Sequence, residues 1–460
     1  MTKIKISEES NKALAMLGYD TFTPIQKEVI PLLLEKKNIV VQAKTGSGKT
    51  CSFALPLCEQ IDWNKNRPQA LILACTRELV NQIQEECALI GKMHKIKVQA
   101  IYGKEKMENQ IALLKQKCHI LVATPGRLMD LIERGAVDLS LINTLIIDEA
   151  DYMLDLGFLE KVKEICKYLD KDVQKALFSA TYPDRIENFI SEFIEDYEKV
   201  EVQEEVQIEH YYNVSEDPLT SLKNFLGNLS IESALVFCER KEEVDNVYDF
   251  LKTEGFRCAK LHGDLLQKQR FQQLNAFKSG KKRILIASDV AARGIDIDKV
   301  SHVFHYGKLH NFENYIHRSG RSARKDEKGI SIILLSEITS FYKQLIQKFN
   351  IKEISGYSNS DVKKIEEINK PIHKNNKNEN FMVAIEKIYI NAGSEKKIRA
   401  NDIIGALCSL PEVSAEDIGV IEVLRQMTYV EIYHNKAKYI VENMKGKTVK
   451  KKKVRIELAK

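Results

Sequence analysis

The apolar run Leu145-Ile146-Ile147 leads straight into Asp148-Glu149-Ala150-Asp151, and far upstream the chain reads AKTGSGKT from Ala43 to Thr50. The upstream segment has the composition of a phosphate loop. Small residues let successive backbone N–H groups converge on phosphate oxygens at a helix N-terminus, with Thr45, Gly46, Ser47 and Gly48 forming the cradle. Lys49 then meets the terminal phosphates of a nucleotide such as ATP, and Thr50 meets Mg2+. Ala43 stands where the commonest form of the pattern has Gly, so the tail Gly48-Lys49-Thr50 and the preceding strand Ile39-Val40-Val41 carry the assignment. A carboxylate at the C-terminal end of a buried strand faces the crevice where open α/β sheets take ligands. Asp148 is placed to hold the magnesium through water, and Glu149 to orient or deprotonate an attacking water. Acidic clusters of this kind otherwise cap the next helix. That alternative would leave the phosphate loop without its metal partner.

The elements that position these groups follow from the pattern of apolar runs. Between Asn38 and Val202, strand-length runs at 39–41, 70–74, 98–102, 119–123, 145–147 and 175–178 alternate with helical stretches. This rhythm predicts a parallel sheet wrapped by helices. A second series at 234–238, 258–261, 283–287, 302–305 and 330–335 predicts the same architecture again, without letter-for-letter repetition. The last segment changes rhythm and reads βαββαβ, the order of a ferredoxin-like RNA-recognition fold. We therefore expect an α/β chain: a parallel-sheet domain over 1–204, another over 205–358, a polar linker over 359–380, and an α+β domain over 381–460.

Composition bounds the class. A chain of 460 residues with 44% hydrophobic and 29% charged residues has enough apolar material for more than one core. Its N-terminus MTKIKISEES lacks a signal-peptide core and its apolar runs are only strand length, so we expect a cytoplasmic protein without membrane association. Nine cysteines, scattered singly, favour reduced thiols over a disulfide framework or a zinc site. From residue 381 to the end, 15 Lys and Arg face 10 Asp and Glu, a surplus equal to the +5 of the whole chain. A basic C-terminal module on a formally balanced remainder fits an anionic polymer as partner, although a merely soluble lysine-rich tail has the same composition.

Over residues 18–336 the chain resembles the DEAD-box RNA helicases, with the motifs in family order. GYDTFTPIQ, ending at Gln26, resembles the adenine-reading motif; Tyr19 lies beside it, and Met1 occupies the position where the family usually has an aromatic residue. A glutamine amide can donate to adenine N7 and accept from its amine. ACTRELV resembles PTRELA, with Cys75 for proline and Val80 for alanine, and implies Arg77 at RNA. Gly103-Lys104 stands for the glycine pair and TPGR is intact from Thr124 to Arg127, so Gly103, Thr124 and Arg127 are implied at the sugar–phosphate backbone. Such contacts position a strand without reading it. Ser179-Ala180-Thr181 matches the motif that couples hydrolysis to RNA remodelling.

The second half of the resemblance runs through HGDLLQKQR, which implies Arg270 at RNA, and ASDVAARGID, which implies Ser288 at RNA and Gly294 and Asp296 at ATP. HRSGRSAR then supplies His317 for coupling and Arg321 and Arg324 as arginine fingers on the γ-phosphate. Fingers of this kind are worth about 10³ to 10⁵ in rate in comparable enzymes. The implied fold is two tandem RecA-like domains plus an RRM-like domain. In the last domain IYINAG presents Tyr389 and RQMTYVEI presents Tyr429 as stacking faces, with Met427 and Ile432 at positions usually aromatic. NAGSEKKIRANDIIGAL is similar to the DbpA/YxiN branch, which implies Lys396, Lys397 and Arg399 at a hairpin of large-subunit (23S) ribosomal RNA. The run 450–453 reads as a solvated strand end.

Three readings of function remain open at this level: a monomeric helicase for ribosomal RNA in assembling particles, a general RNA remodeller with a basic tether, and an RNA clamp with a vestigial ATPase. Intact Lys49, Asp148, Glu149, Arg321 and Arg324 weigh against the third.

Overall fold

The computed structural model describes residues 4–459 except 44–46, 183, 203–206, 290–299, 323–327, 360, 373–385, 434–435 and 451. Thr45, Gly46, Gly294, Asp296 and Arg324, like Met1, lie outside the described residues.

The first apolar series forms a seven-stranded parallel sheet: β1 (Asn38–Gln42), β2 (Ala70–Leu73), β3 (Val98–Ile101), β4 (Ile120–Ala123), β5 (Thr144–Ile147), β6 (Gln174–Ser179) and β7 (Tyr197–Glu201), in the order β3-β4-β2-β5-β6-β1-β7. Strands β2, β4 and β5 are buried at every position, which is why they read as unbroken apolar runs and not as alternation. The order has a direct consequence for the site. Because β5, β6 and β1 are neighbours, Asp148, Ser179 and the loop after Gln42 emerge side by side at the C-terminal edge, and Ala43 N donates to Ser179 O at 3.0 Å.

The second sheet comprises β8 (Ile208–Val214), β9 (Ala234–Cys238), β10 (Cys258–Leu261), β11 (Ile284–Ser288), β12 (His302–Tyr306), β13 (Gly329–Leu335) and β14 (Lys352–Glu353), ordered β10-β11-β9-β12-β13-β8-β14. Counted within its own domain, each strand occupies the place of its counterpart in the first sheet. The duplication read from pattern is thus a duplication of topology. Its core gathers Phe225, Val236, Phe256, Ile286 and Phe304.

This second domain runs further than expected. The stretch assigned to a linker from 359 contains a helix, Val362–Ile368, whose Ile368 is buried in that core with Ile365 packed against it. Asn369 Oδ1 accepts from Arg257 N at 2.7 Å, and Ile372 N donates to Gly280 O at 3.0 Å. Ile365 and Ile368, three positions apart, supply the apolar stripe among lysines and glutamates.

The third sheet is antiparallel: β15 (Glu386–Ile390), β16 (Ile418–Val423), β17 (Thr428–Ile432) and β20 (Ile456–Leu458), ordered β16-β17-β15-β20, with a hairpin of β18 (Thr448–Val449) and β19 (Lys452–Lys453) outside it. One face packs Ile388, Ile390, Val430 and Ile432 against the helices Ala400–Leu407 and Ala437–Asn443. By compactness the two parallel-sheet domains form one unit and this domain falls in a second. No helix of the described residues is long and apolar enough to cross a membrane.

Candidate nucleotide and RNA sites

The loop after β1 enters the helix Lys49–Gln60 through Gly48, whose φ of 91° only glycine adopts without strain. A Cβ there would also meet Gln26 Nε2 at 2.6 Å. Gln26, wholly buried, braces this turn: its Oε1 accepts from Thr23 N at 2.9 Å and its Nε2 donates to Gly48 O at 3.2 Å. Thr23 Oγ1 adds a bond to Ser47 O at 2.9 Å. One N–H and one lone pair of the Gln26 amide remain by valence for a base. Tyr19 is half-buried just beyond the first helix.

Lys49 is 8% exposed, yet its ammonium has no hydrogen-bond partner among the described residues. A buried cation left unmatched at a helix N-terminus fits a polyphosphate. Asp148 is buried at the end of β5, one oxygen accepting from Glu149 N at 2.9 Å. Burial pushes its carboxyl up to about 6 against the pull of Lys49. Removal from water disfavours its charge, and a divalent cation held between Asp148 and the half-buried Thr50 hydroxyl would reverse that.

Glu149 holds a left-handed backbone, φ 54° and ψ 52°, a strained conformation for a non-glycine residue. It is the N-cap of the helix Ala150–Asp155 and makes no side-chain cap bond, so the capping role is absent and the carboxylate is turned elsewhere. Cys75 Sγ donates to Glu149 Oε2 at 3.6 Å. Burial and the nearby carboxylates hold that thiol well above its usual range, so it stays a donor.

Asp151 was not singled out by the sequence, and it is the hub of the Ser179-Ala180-Thr181 turn. One oxygen accepts from Ala180 N at 3.1 Å, Thr181 N at 2.9 Å and Thr181 Oγ1 at 3.0 Å, with His317 Nε2 at 3.5 Å. Burial pushes this carboxyl up, but His317, Lys49 and the Thr181 amide outweigh it and hold it well below the usual range. Ser179 Oγ donates to Thr181 O at 2.6 Å and tightens the same turn. His317 belongs to the helix Phe312–Ser319 of the second domain, so this contact joins the two parallel-sheet domains. The only signal for Asp151 in the sequence was its place as the fourth letter of the acidic motif.

Arg270 is not presented to solvent as an RNA contact. Its guanidinium is buried against Glu78, Nε to Oε1 at 2.9 Å, with both side chains under a tenth exposed. The pair links the helix Gln267–Lys278 of the second domain to the helix Arg77–Ile90 of the first. Arg127 likewise turns inward, donating to Glu105 O at 3.1 Å and Gln110 Oε1 at 2.9 Å. Gly103 and Thr124 close β3 and β4 on the edge that also carries Cys75 and the half-buried Arg77. Ser288 closes β11, and the next residue, Asp289, takes a two-pronged bond from the fully buried Arg318 at 2.6 Å and 2.6 Å. Arg321, three residues on, is 7% exposed.

In the third sheet Tyr389 and Tyr429 pair on the half-exposed face, ring centroids 5.7 Å apart. The register places Glu422 on one side of that row and Glu457 on the other. Lys396, Lys397 and Arg399 are exposed on the loop ahead of the helix Ala400–Leu407, with Ile398 between them buried in the core. Lys450 and Lys452 are exposed, as at a solvated strand end, and are also bonded: Lys450 Nζ donates to Lys397 O and Asp402 Oδ2, each at 3.0 Å, and Lys452 Nζ donates to Lys396 O. Loop and hairpin together form one cationic edge.

A phosphate loop, a strand-end Asp-Glu pair and two sheets of one topology with a histidine and an ion pair bridging them define a two-domain RecA-like NTPase. Residues 23–189 match the DEAD/DEAH box helicase family, 217–326 the helicase conserved C-terminal domain, and 387–458 the DbpA RNA binding domain. The chain is 41% identical to the ATP-dependent RNA helicase DbpA of Bacillus subtilis, over 99% of this chain and 98% of that one. It is 38% identical to the DEAD-box ATP-dependent RNA helicase CshA of Geobacillus kaustophilus over 73% of each. Among solved structures, Saccharomyces cerevisiae Dbp5 bound to RNA and ADP BeF3 superposes with a TM-score of 0.69 at 30% identity, covering 79% of this chain and 98% of that chain. The chain belongs to the DEAD-box ATP-dependent RNA helicases and carries a DbpA-type RNA-binding domain. It is an RNA-dependent ATPase.

Proposed function

We propose that this helicase acts locally on large-subunit ribosomal RNA in assembling ribosomal particles in the cytoplasm, with its third domain selecting the site. The observation that carries the targeting is the cationic edge. Its exposed Lys396, Lys397 and Arg399 stand beside Lys450 and Lys452, while acids flank the tyrosine pair of the sheet face. A phosphate-bearing hairpin fits that edge better than a single strand laid across the sheet.

The motor chemistry follows from the first two domains. Lys49 and the amides of its loop hold the triphosphate, and Gln26 places the adenine. Thr50 and Asp148 would hold Mg2+, which neutralises charge on the phosphate oxygens. Glu149 orients the attacking water and takes its proton, and Arg321 with Arg324 answers the charge that develops on the γ-phosphoryl group. The Asp151–His317 and Glu78–Arg270 contacts are made only when the two domains meet. An RNA strand that favours the closed state is therefore bent on closure and released after hydrolysis.

The test is the ATPase rate without RNA, with bulk RNA, and with a large-subunit ribosomal RNA hairpin fragment at matched nucleotide concentration. Stimulation by the fragment far above bulk RNA is expected. Equal stimulation by both would leave a general remodeller with a basic tether.

A further inference from the structure

Trp63 is the single tryptophan of the chain, and 48% of it is exposed. It lies between the helix Lys49–Gln60 and β2, at the N-terminal edge of the first sheet. Asp148, Thr124 and Cys75 emerge at the opposite edge, a four-residue strand away, roughly 13 Å at least. Trp63 therefore belongs to neither the nucleotide crevice nor the motif residues around it.

Its position is fixed from below. The buried His119 accepts from Lys97 N through Nδ1 at 2.8 Å, so its Nε2 carries the proton and donates to Trp63 O at 3.1 Å. Burial lowers the basicity of that ring and keeps it neutral in this role. One side chain thus pins the Trp63 loop to the starts of β3 and β4. Those two starts bring the cations: Lys117 Nζ stands 5.0 Å and Lys95 Nζ 5.8 Å from the indole centroid. Lys65 and Lys97 are exposed on the same edge. Of the acids on this edge, Asp62 accepts from Asn64 N at 3.0 Å and Asp138 pairs with Arg67 at 2.8 Å.

A large exposed aromatic ring on a hydrogen-bonded loop, flanked by two lysines, is the combination that holds a base by stacking and its phosphates by charge. Lysine stems alone would cover the ring for solubility, but they do not require a buried histidine to lock its loop. We propose that Trp63, with Lys95 and Lys117, is a second single-stranded RNA contact on the first domain, engaging RNA that runs outside the interdomain cleft. The proposal rests on RNA being the partner of the protein, and extends its footprint.

The single tryptophan makes the test direct. Indole emission of the full-length protein, excited on the red edge where its tyrosines do not absorb, is followed during titration with a long mixed-sequence single-stranded RNA, and the ATPase rate is read in the same samples. Strong quenching is expected, and Lys95→Glu with Lys117→Glu removes it. Trp63→Ala weakens binding of the long RNA roughly tenfold, the scale of one lost base stack, Trp63→Phe restores most of it, and basal ATPase stays unchanged in all variants. Emission that does not move while RNA stimulates the ATPase overturns the proposal and leaves the helicase reading intact. RNA that moves neither signal sinks both. Equal quenching by inorganic polyphosphate, or a response to polyglutamate but not to RNA, also overturns it, the first in favour of charge alone and the second in favour of an acidic protein partner.

Discussion

At the residue scale the site is a set of charges placed where each is costly without a partner. Lys49 is buried and unmatched among the described residues, Asp148 is held up toward about 6 by burial, and Glu149 sits on a left-handed backbone. Glu149→Gln keeps the shape and removes the carboxylate proposed as the base, so ATP and RNA binding should persist while kcat falls by about 10² or more. Equal loss of binding in equilibrium titrations would give Glu149 a structural role. Cys75→Ala removes the thiol that donates to Glu149 and is expected to lower kcat a few-fold with KM unchanged, and Cys75→Ser to recover it; a rise in KM alone would contradict this. Asp151 has the opposite electrostatics to Asp148. Its folded value is depressed, so ionised Asp151 stabilises the fold fully above the ordinary carboxylate range and loses that contribution as pH falls through the folded value. Asp151→Asn is expected to cost about 2–3 kcal/mol at neutral pH. The gap in unfolding free energy from wild type should narrow as the pH drops below about 4; a gap independent of pH would mean lost packing and not lost charge. Lys49, Asp148 and Glu149 were legible in the sequence because each sits in a contiguous motif beside the strand that positions it. The Asp151 hub was not, because its partners come from a strand end and from the other domain, and no local pattern records such a meeting.

The elements repeat that lesson. Central strands such as Ala70–Leu73 and Ala234–Cys238 announce themselves because burial on both faces demands apolar side chains throughout. The edge strand Tyr197–Glu201 buries only Val200, and Lys352–Glu353 buries nothing, so their letters look like loop. The helix Val362–Ile368 hides its stripe among charges. Arg270 shows the same limit at the level of contact: its motif is plain, and its partner Glu78 is not. Arg270→Ala leaves the Glu78 carboxylate buried and unpaired in the closed arrangement, a penalty of about 3–5 kcal/mol. That penalty falls on closure, so RNA affinity measured with a non-hydrolysable ATP analogue should drop steeply while affinity without nucleotide barely changes. Exchange of the two charges, Glu78→Arg with Arg270→Glu, should recover part of the loss. Equal loss with and without nucleotide would make Arg270 a direct RNA contact, as its motif alone implied.

At the scale of the whole molecule, one topology used twice supplies a two-part ATPase, and a third fold adds a DbpA-type RNA-binding domain. The chain-wide surplus of +5 equals that of the last 80 residues, and within them the cations are gathered and not spread. The buried Ile398 anchors the Lys396–Arg399 loop, and the hairpin lysines 450 and 452 bond its carbonyls, so the cationic edge has a fixed shape. Fixed shape is what separates a reader from a tether, because free lysines release counterions on any RNA alike. Lys397→Ala with Arg399→Ala leaves both lysine-to-carbonyl bonds in place and removes two exposed charges. Basal ATPase should be unchanged, and the slope of log affinity against log salt should become shallower by roughly two. Preference for the ribosomal hairpin fragment over bulk RNA should vanish, at low salt and high alike. A variant that lost the salt slope on every RNA and kept its preference would place recognition elsewhere in the domain, with the tyrosine row between Glu422 and Glu457 the next surface to change.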